Sequence, residues 1–362
     1  MAEGLRKAGT QIISDPKSAP FRTWFTAADR LRSLGKLGED RVAVVTAAEG
    51  ALLDRVLDTR YHKATSGLQR RACGILHAAR MKTSWGQRHQ RTLALIEGPE
   101  LLASAERYDL TGTCEGRGVR ICAIGSAHGE TNGGGAGHAR ELVDRLIAAA
   151  AQDGAEIALL FSDTVDDAIG EGFEPIPGTD VMLAVAQSPR HGAPMTMVRA
   201  GEERDLAAIV AMGRARAAAF RFHLDRDVDF VQYALTSKRL LAGLGTANAR
   251  QLHFFIAEEG ITAAAYVVLS VAGAEWTLEE CGDRDASGAR VGALLQALIA
   301  REPMEQRPTI RGWLPHGFVP PQVTIASAAP SAHTIKLRRL DSTTMMPPLA
   351  AADVLWWRSD VF

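Results

Sequence analysis

The sequence is short of cysteine, of net charge and of long apolar runs. Cys73, Cys114, Cys122 and Cys281 are the only cysteines among 362 residues, and no two form a Cys-x-x-Cys pair or a dense cluster. That spacing argues against a disulfide scaffold and a thiolate zinc site, and it fits a reducing, cytoplasmic setting. Charge of one sign is lacking too: 41 Lys and Arg offset 42 Asp and Glu, leaving a formal charge of -1. A chain that neutralises several phosphates needs a basic surplus, so nucleic acid and anionic membrane surfaces lose their electrostatic argument as partners. Residues 1–17 carry Glu3, Arg6, Lys7 and Asp15 and no apolar h-region, and no later run approaches the ~18 uncharged apolar residues of a membrane span. The expectation is an unexported protein without a membrane anchor.

What is present is an ordinary globular balance, 46% hydrophobic and 23% charged, enough to bury a sizeable core. At about 150 residues per domain, the length predicts two domains or one large one. The clearest break is Ala186-Gln-Ser-Pro-Arg-His-Gly-Ala-Pro194, where Ser, Pro and Gly cluster between two segments of alternating strands and helices. On its N-terminal side the pattern predicts a strand over 42–45, a basic helical stretch over 52–80, and strands over 92–96, 101–111 and 119–127. The last two are joined through Glu115-Gly-Arg-Gly118, whose glycines suit a tight hairpin. A glycine-rich loop follows, then a helix over 139–151 with Leu142, Val143, Leu146, Ile147 and Ala150 at helical spacing. A short apolar strand over 155–161 can return parallel.

Beyond the break the order repeats. Residues 197–211 have a charged opening, Glu202-Glu-Arg-Asp205, followed by Leu206, Ile209 and Val210 as a helical apolar face, and strands over 252–257, 262–271 and 275–280 precede a polar loop over 281–287. A helix over 291–300 closes the series. Similarity of pattern across two halves points to duplication.

The stretch richest in chemistry is Ala123-Ile-Gly-Ser-Ala-His-Gly-Glu-Thr-Asn-Gly-Gly-Gly-Ala-Gly-His-Ala-Arg140. A strand that runs through glycines into a helix exposes backbone N–H groups at the positive end of the helix dipole, a setting for phosphate or pyrophosphate. A mobile surface turn is the plain alternative. The loop ends Gly137-His-Ala139 without the Gly-Lys-Ser or Gly-Lys-Thr of a P-loop. It also follows a meander of strands rather than the first strand of a parallel unit, which argues against a dinucleotide fingerprint.

The segment Gly134-Gly-Ala-Gly137-His-Ala139 resembles the acetyl-CoA loop of the GNAT superfamily of N-acetyltransferases, whose motif is Gln or Arg, two residues, Gly, one residue, then Gly or Ala. The likeness extends to the meander before the loop, the helix and strand after it, and Gly172-Phe173, and it covers about residues 42–186. In the second half, Val198-Arg-Ala-Gly-Glu-Glu-Arg-Asp205 resembles a family opening and Asp285-Ala-Ser-Gly288-Ala-Arg-Val291 a degenerate loop. The resemblance implies an α+β protein of two tandem GNAT-like domains, each a mixed, mostly antiparallel sheet flanked by helices. It divides the chain into an N-terminal extension (1–38), a domain carrying the acetyl-CoA loop (39–188), a linker (189–196) and a degenerate second domain (197–362).

The resemblance implies acetyl-CoA as cosubstrate, bound by Ser126, Ala127, His128, Gly129, Gly134, Gly135, Ala136, Gly137, His138, Ala139, Arg140 and Ser162. It implies direct transfer of the acetyl group to a primary amine, on a small molecule or a peptide, with no metal. A β-bulge at the end of the strand that finishes Ser126-Ala127-His128 would present N–H groups to the thioester carbonyl. His128 and Glu130 are the bases within sequence reach, each with a structural or solvated role as the plain alternative. The terminal Phe362 resembles, by identity alone, the catalytic terminal carboxylate of acetyltransferases of the enhanced-intracellular-survival type. A packed segment closing the second domain is its plain alternative.

The chain departs from the family pattern twice. Gly134 stands where Gln or Arg is usual, and Ala168 stands where a tyrosine often protonates the departing thiolate. The competing reading is therefore a non-catalytic acyl-CoA-binding or regulatory protein. Tyr61, His62, His89 and the basic residues Arg70, Arg71, Arg80, Lys82 and Arg88 read as a solvated face, and Trp85 as core or as pocket lining.

Overall fold

The computed structural model describes residues 42–63, 68–130, 135–162, 169–176, 178–186, 197–245, 250–331, 334–341 and 348–360. The first strands form an antiparallel meander: β1 (Val44–Ala47), β2 (Gln90–Glu97), β3 (Glu100–Cys114) and β4 (Arg117–Gly129). The basic helical stretch is two helices, α1 (Gly50–Lys63) and α2 (Arg70–Lys82), and the short α3 (Ser84–His89) leads into β2. The β3–β4 hairpin closes on Cys114 opposite Arg117, and its two turn residues, Glu115 and Gly116, have φ of 51° and 73°. Two consecutive positive φ angles match the right-handed twist of the strands, so one of them falls on a glutamate rather than on Gly118.

Helix α4 (Gly135–Gln152) buries Ala139, Leu142, Val143, Leu146, Ile147 and Ala150 against Leu95, Ala103, Ala105, Ile124 and Leu160 of the sheet. A helical crossover of this kind allows the next strand, β5 (Ile157–Ser162), to lie parallel to β4. Then follow β6 (Glu174–Ile176) and β7 (Thr179–Val185). The break at residues 187–196 lies outside the described residues.

The second half holds β8 (Met197–Ala200), α5 (Leu206–Ala217), β9 (Phe222–Leu224), α6 (Val228–Leu244), β10 (Gln251–Glu259), β11 (Thr262–Ala272), β12 (Glu275–Asp283), α7 (Ala289–Ile299), β13 (Thr309–Gly312), β14 (Val323–Pro330), β15 (Thr334–Arg339) and β16 (Val354–Leu355). The loop expected from residue 281 begins later, because Cys281, Gly282 and Asp283 still pair with β11.

One mixed sheet has the order β1-β2-β3-β4-β5-β15-β6, with β9 and β16 attached at the hairpin end of β3. The other runs β14-β7-β13-β12-β11-β10-β8. Strands β2 to β5 with α4 and strands β10 to β13 with α7 repeat one pattern: two antiparallel pairings, a helix, then a parallel pairing. The sheets also exchange strands. Strand β7 precedes the break yet pairs with β13 and β14, while β15, late in the chain, sits between β5 and β6.

Candidate acyl-CoA cleft

Strand β4 is irregular where the chemistry was expected. On its β3 side Gly125 faces Glu106 and His128 faces Ser104, so Ser126 and Ala127 together oppose the single residue Ala105. That two-against-one count is a β-bulge, and Ser126 absorbs it with a φ of 50°. On its other side the parallel ladder with β5 runs from Ile121 opposite Ile157 to Ile124 opposite Leu160 and stops. Beyond that point β4 continues beside β3 and β5 beside β15, so the two strands part and leave a cleft at the bulge.

Helix α4 begins at the mouth of this cleft. A Cβ on Gly129 would lie 1.6 Å from the Gly135 carbonyl oxygen, and one on Gly135 would lie 2.6 Å from that of Glu130, so strand end and helix start meet in a contact only glycine permits. Ala136 and Gly137 are exposed on the first turn, and a Cβ on Gly137 meets nothing within 4 Å. Ala139 turns its methyl into the core, so only its backbone is offered. His138 is half-buried, and Arg140 pairs with Glu171. Gly134, Ala168, Phe362 and the Ser162 side chain lie outside the described residues.

Ser126, Ala127, His128 and Glu130 are half-buried at the cleft. The Glu130 N–H donates to the Leu102 carbonyl at 2.8 Å, and its carboxylate accepts from the Thr59 hydroxyl. Glu130 thus ties α1 to the strand end rather than standing as a solvated group.

The sheet face away from α4 carries a polar cluster that the sequence reading passed over. Ser104, Glu106 and Tyr108 alternate along β3, all buried, beneath α1, α2 and α6. Arg60 approaches the Glu106 carboxylate at 2.5 Å, the Tyr108 hydroxyl donates to it, and His77 lies 4.0 Å away. Burial alone would raise the Glu106 pKa, but Arg60, Arg80, the Tyr108 hydrogen bond and His77 outweigh it and hold the carboxyl at about 2. Burial lowers the His77 pKa, favouring the neutral ring. Arg80, expected on a solvated face, instead lies beside Tyr108, Tyr233 and Glu106. The clue was a strand with polar residues on a face that the surrounding helices had to cover.

Trp85 belongs to the core. Its ring packs 4.4 Å from Tyr233, 5.0 Å from His89 and edge-on at 5.3 Å to Phe230. Cys122 and Cys281 are buried, which pushes the Cys122 thiol up to about 12 and Cys281 also upward, against a nucleophilic role.

The second sheet repeats the irregularity. On β12 Glu279 is the extra residue between Leu278 and Glu280, and the parallel ladder with β13 ends at Leu278 opposite Gly312. Here the helix start is closed from within: the Asp283 carboxylate accepts the N–H groups of Arg290 at 2.8 Å and Val291 at 3.3 Å.

The fold has counterparts among solved structures. A GCN5-related N-acetyltransferase from Kribbella flavida superposes with a TM-score of 0.60 at 18% identity, over 83% of this chain and 72% of that one. The chain has a GCN5-related N-acetyltransferase (GNAT) fold. Eis1 from Mycobacterium abscessus matches the GNAT-like chain with a TM-score of 0.52 at 18% identity, over 83% of this chain and 74% of its own. Saccharomyces cerevisiae N-myristoyltransferase, solved with bound myristoyl-CoA, matches at 0.50 and 9% identity, over 84% and 85%. No family model matches the sequence, and no curated protein does. Among the described residues no helix is long and apolar enough to cross a membrane.

Proposed function

We propose that the protein is an N-acyltransferase that moves an acetyl group from acetyl-CoA to a primary amine of a small molecule or peptide, within two GNAT-like domains of which the first holds the cosubstrate. The observation that carries this reading is the bulge at Ser126 beside the end of the β4–β5 ladder. Past Ile124 the β4 edge no longer pairs with β5, and that edge suits a pantetheine arm laid alongside it as a further strand. First-turn N–H groups at Gly135, Ala136 and Gly137 have no intrahelical partners and suit the pyrophosphate.

Acetyl-CoA supplies an activated thioester, and N–H groups at the bulge would stabilise charge on its carbonyl oxygen. The attacking amine must be neutral. His128, just past the bulge, carries the imidazole such a step calls for and is our choice for accepting the ammonium proton, with Glu130 as the neighbouring carboxylate. Glu106, with a pKa near 2, is too weak a base for this step and serves to hold Arg60 and Tyr108. The buried cysteines fit the cytoplasm we assign to the protein.

The test is calorimetric titration of the purified protein with acetyl-CoA, CoA and myristoyl-CoA, repeated on Gly137→Trp. Gly137 is exposed and its Cβ position is open, so the variant should keep the wild-type melting temperature while acetyl-CoA affinity falls at least tenfold. Absence of binding to the wild type at millimolar acetyl-CoA would overturn the reading. Binding without turnover on any amine would favour the regulatory alternative. Tighter binding of myristoyl-CoA would reassign the acyl group.

A further inference from the structure

A cavity of about 320 Å³ lies away from the acyl-CoA cleft, between α5, β9, the start of α6 and the C-terminal segment. Its lining includes no residue of β4, β5 or α4. The β3 residue it touches, Thr111, pairs with Arg120, five residues and about 17 Å along β4 from Gly125. The floor is apolar, with Ile209, Leu224 and Leu355, and it also contains Trp357 and Asp360, each 2% exposed. The rim carries exposed Asp225 and Asp227.

Among the described residues the charges beneath the floor do not balance. Three carboxylates converge there. Glu279 pairs with Lys238 of α6 at 2.7 Å, and Glu280 takes both Arg226 Nη groups at 2.7 and 2.8 Å while accepting from the Tyr266 hydroxyl. Asp360 is left with the edge of the same guanidinium, Arg226 Nε at 3.2 Å, in a geometry that is not a hydrogen bond. Its Oδ2 accepts the Trp357 N–H at 3.1 Å, but among the described residues its Oδ1 has no hydrogen-bond partner, and neither does the buried Trp357 Nε1. The other cations nearby are Arg358, which pairs with Asp180 at 3.0 Å, and Arg214 at the exposed rim. Of the rim carboxylates, Asp227 spends Oδ1 capping α6 through the Phe230 N–H at 2.7 Å. Among the described residues the Asp225 carboxylate has only a 3.3 Å contact, from the Thr113 hydroxyl. His223 lines the same wall.

We propose that this cavity is a binding site for a small organic cation, a primary amine or guanidinium, whose charge completes the Asp360 carboxylate, which shares the Arg226 guanidinium with Glu280, while Asp225 and Asp227 guide it in. Two buried carboxylates sharing one guanidinium are costly, and an entering cation relieves that cost. Without a ligand the relief comes from a proton: burial, with Glu280 adding to it against Arg226, raises the Asp360 pKa to about 6. Cation and proton therefore compete. Binding is strongest above pH 6 and weakens as pH falls through that value.

Agmatine, carrying both charge types, is the probe, with n-butanol as a neutral control. Calorimetry at pH 7.5 should give millimolar or tighter binding of agmatine and none of n-butanol, with affinity falling about tenfold by pH 5, the factor for one competing proton. Asp360→Asn should weaken binding at least tenfold and remove the pH dependence. Gly213→Phe fills the cavity from α5, where a Cβ meets nothing within 4 Å, and should abolish binding while the melt and the acetyl-CoA titration stay at wild-type values. No agmatine binding at 10 mM to the wild type would overturn the proposal, as would undiminished binding in either variant. Loss of acetyl-CoA binding is a separate result and speaks only to the cleft.

Discussion

Glu106 shows how one buried charge ties stability to the site. Its carboxyl is ionised in the folded protein down to about pH 2, whereas an unfolded glutamate titrates near 4.3. The folded pKa is the lower one, so the stabilisation is fully present above about pH 4.5 and is lost as pH falls toward 2. Its size at neutral pH is about 3 kcal/mol. Glu106→Gln should remove it and leave Arg60 buried without its partner, a loss of about 3–5 kcal/mol in urea unfolding at pH 7 that shrinks toward pH 3. A gap that stays constant with pH would mean the carboxylate acts through packing alone. At the same scale, His128→Gln should lower kcat at least tenfold and flatten the acid limb of the pH–rate profile, read by steady-state kinetics. Neither Glu106 nor Arg80 was legible in the sequence, since a charge in an amphipathic pattern reads as solvated until the elements that cover it are known.

Among the elements, β1 to β5, β10 to β12 and α4 were legible because their apolar spacing is strong, whereas the short β6, β9 and β16 and the strands β7 and β13 to β15 were not read. The α4 stripe from Leu142 to Ala150 was read residue for residue as the buried face. Helix α6 was passed over although Asp227 caps it, because its apolar residues lie on several faces and yield no clean period. The bulge was expected from the family likeness, but its exact residue is set by pairing across to β3. The contact of Gly129 with Gly135 makes a clear prediction for this element. Gly129→Ala should push the start of α4 off the strand end, costing about 1–3 kcal/mol in thermal or urea unfolding and weakening acetyl-CoA binding as well. Unchanged affinity in a destabilised variant would separate the packing of this junction from the proposed cradle.

On the scale of the molecule, strand exchange decides how the halves behave. Residues 43–362 form one unit by their contacts, and β7 and β15 each complete the sheet of the other half. A fragment ending at residue 188 would expose β5 and β6 without β15 between them and leave β7 with no partner. Such a fragment should aggregate or lack a cooperative melt, whereas the whole chain should unfold in one transition by circular dichroism. Two independent transitions would mean that the exchanged strands contribute little.

The sequence by itself determined the types of its strongly patterned elements, their repeated order and the absence of a charge surplus, because these rest on local periodicity, turn chemistry and composition. Tertiary structure alone decided which strands fill which sheet, which carboxylates are buried against which arginines, and where the cavity lies. Those properties depend on pairs such as Arg60 with Glu106 and Arg226 with Asp360, whose members are 46 and 134 residues apart in sequence and meet only when the chain has folded.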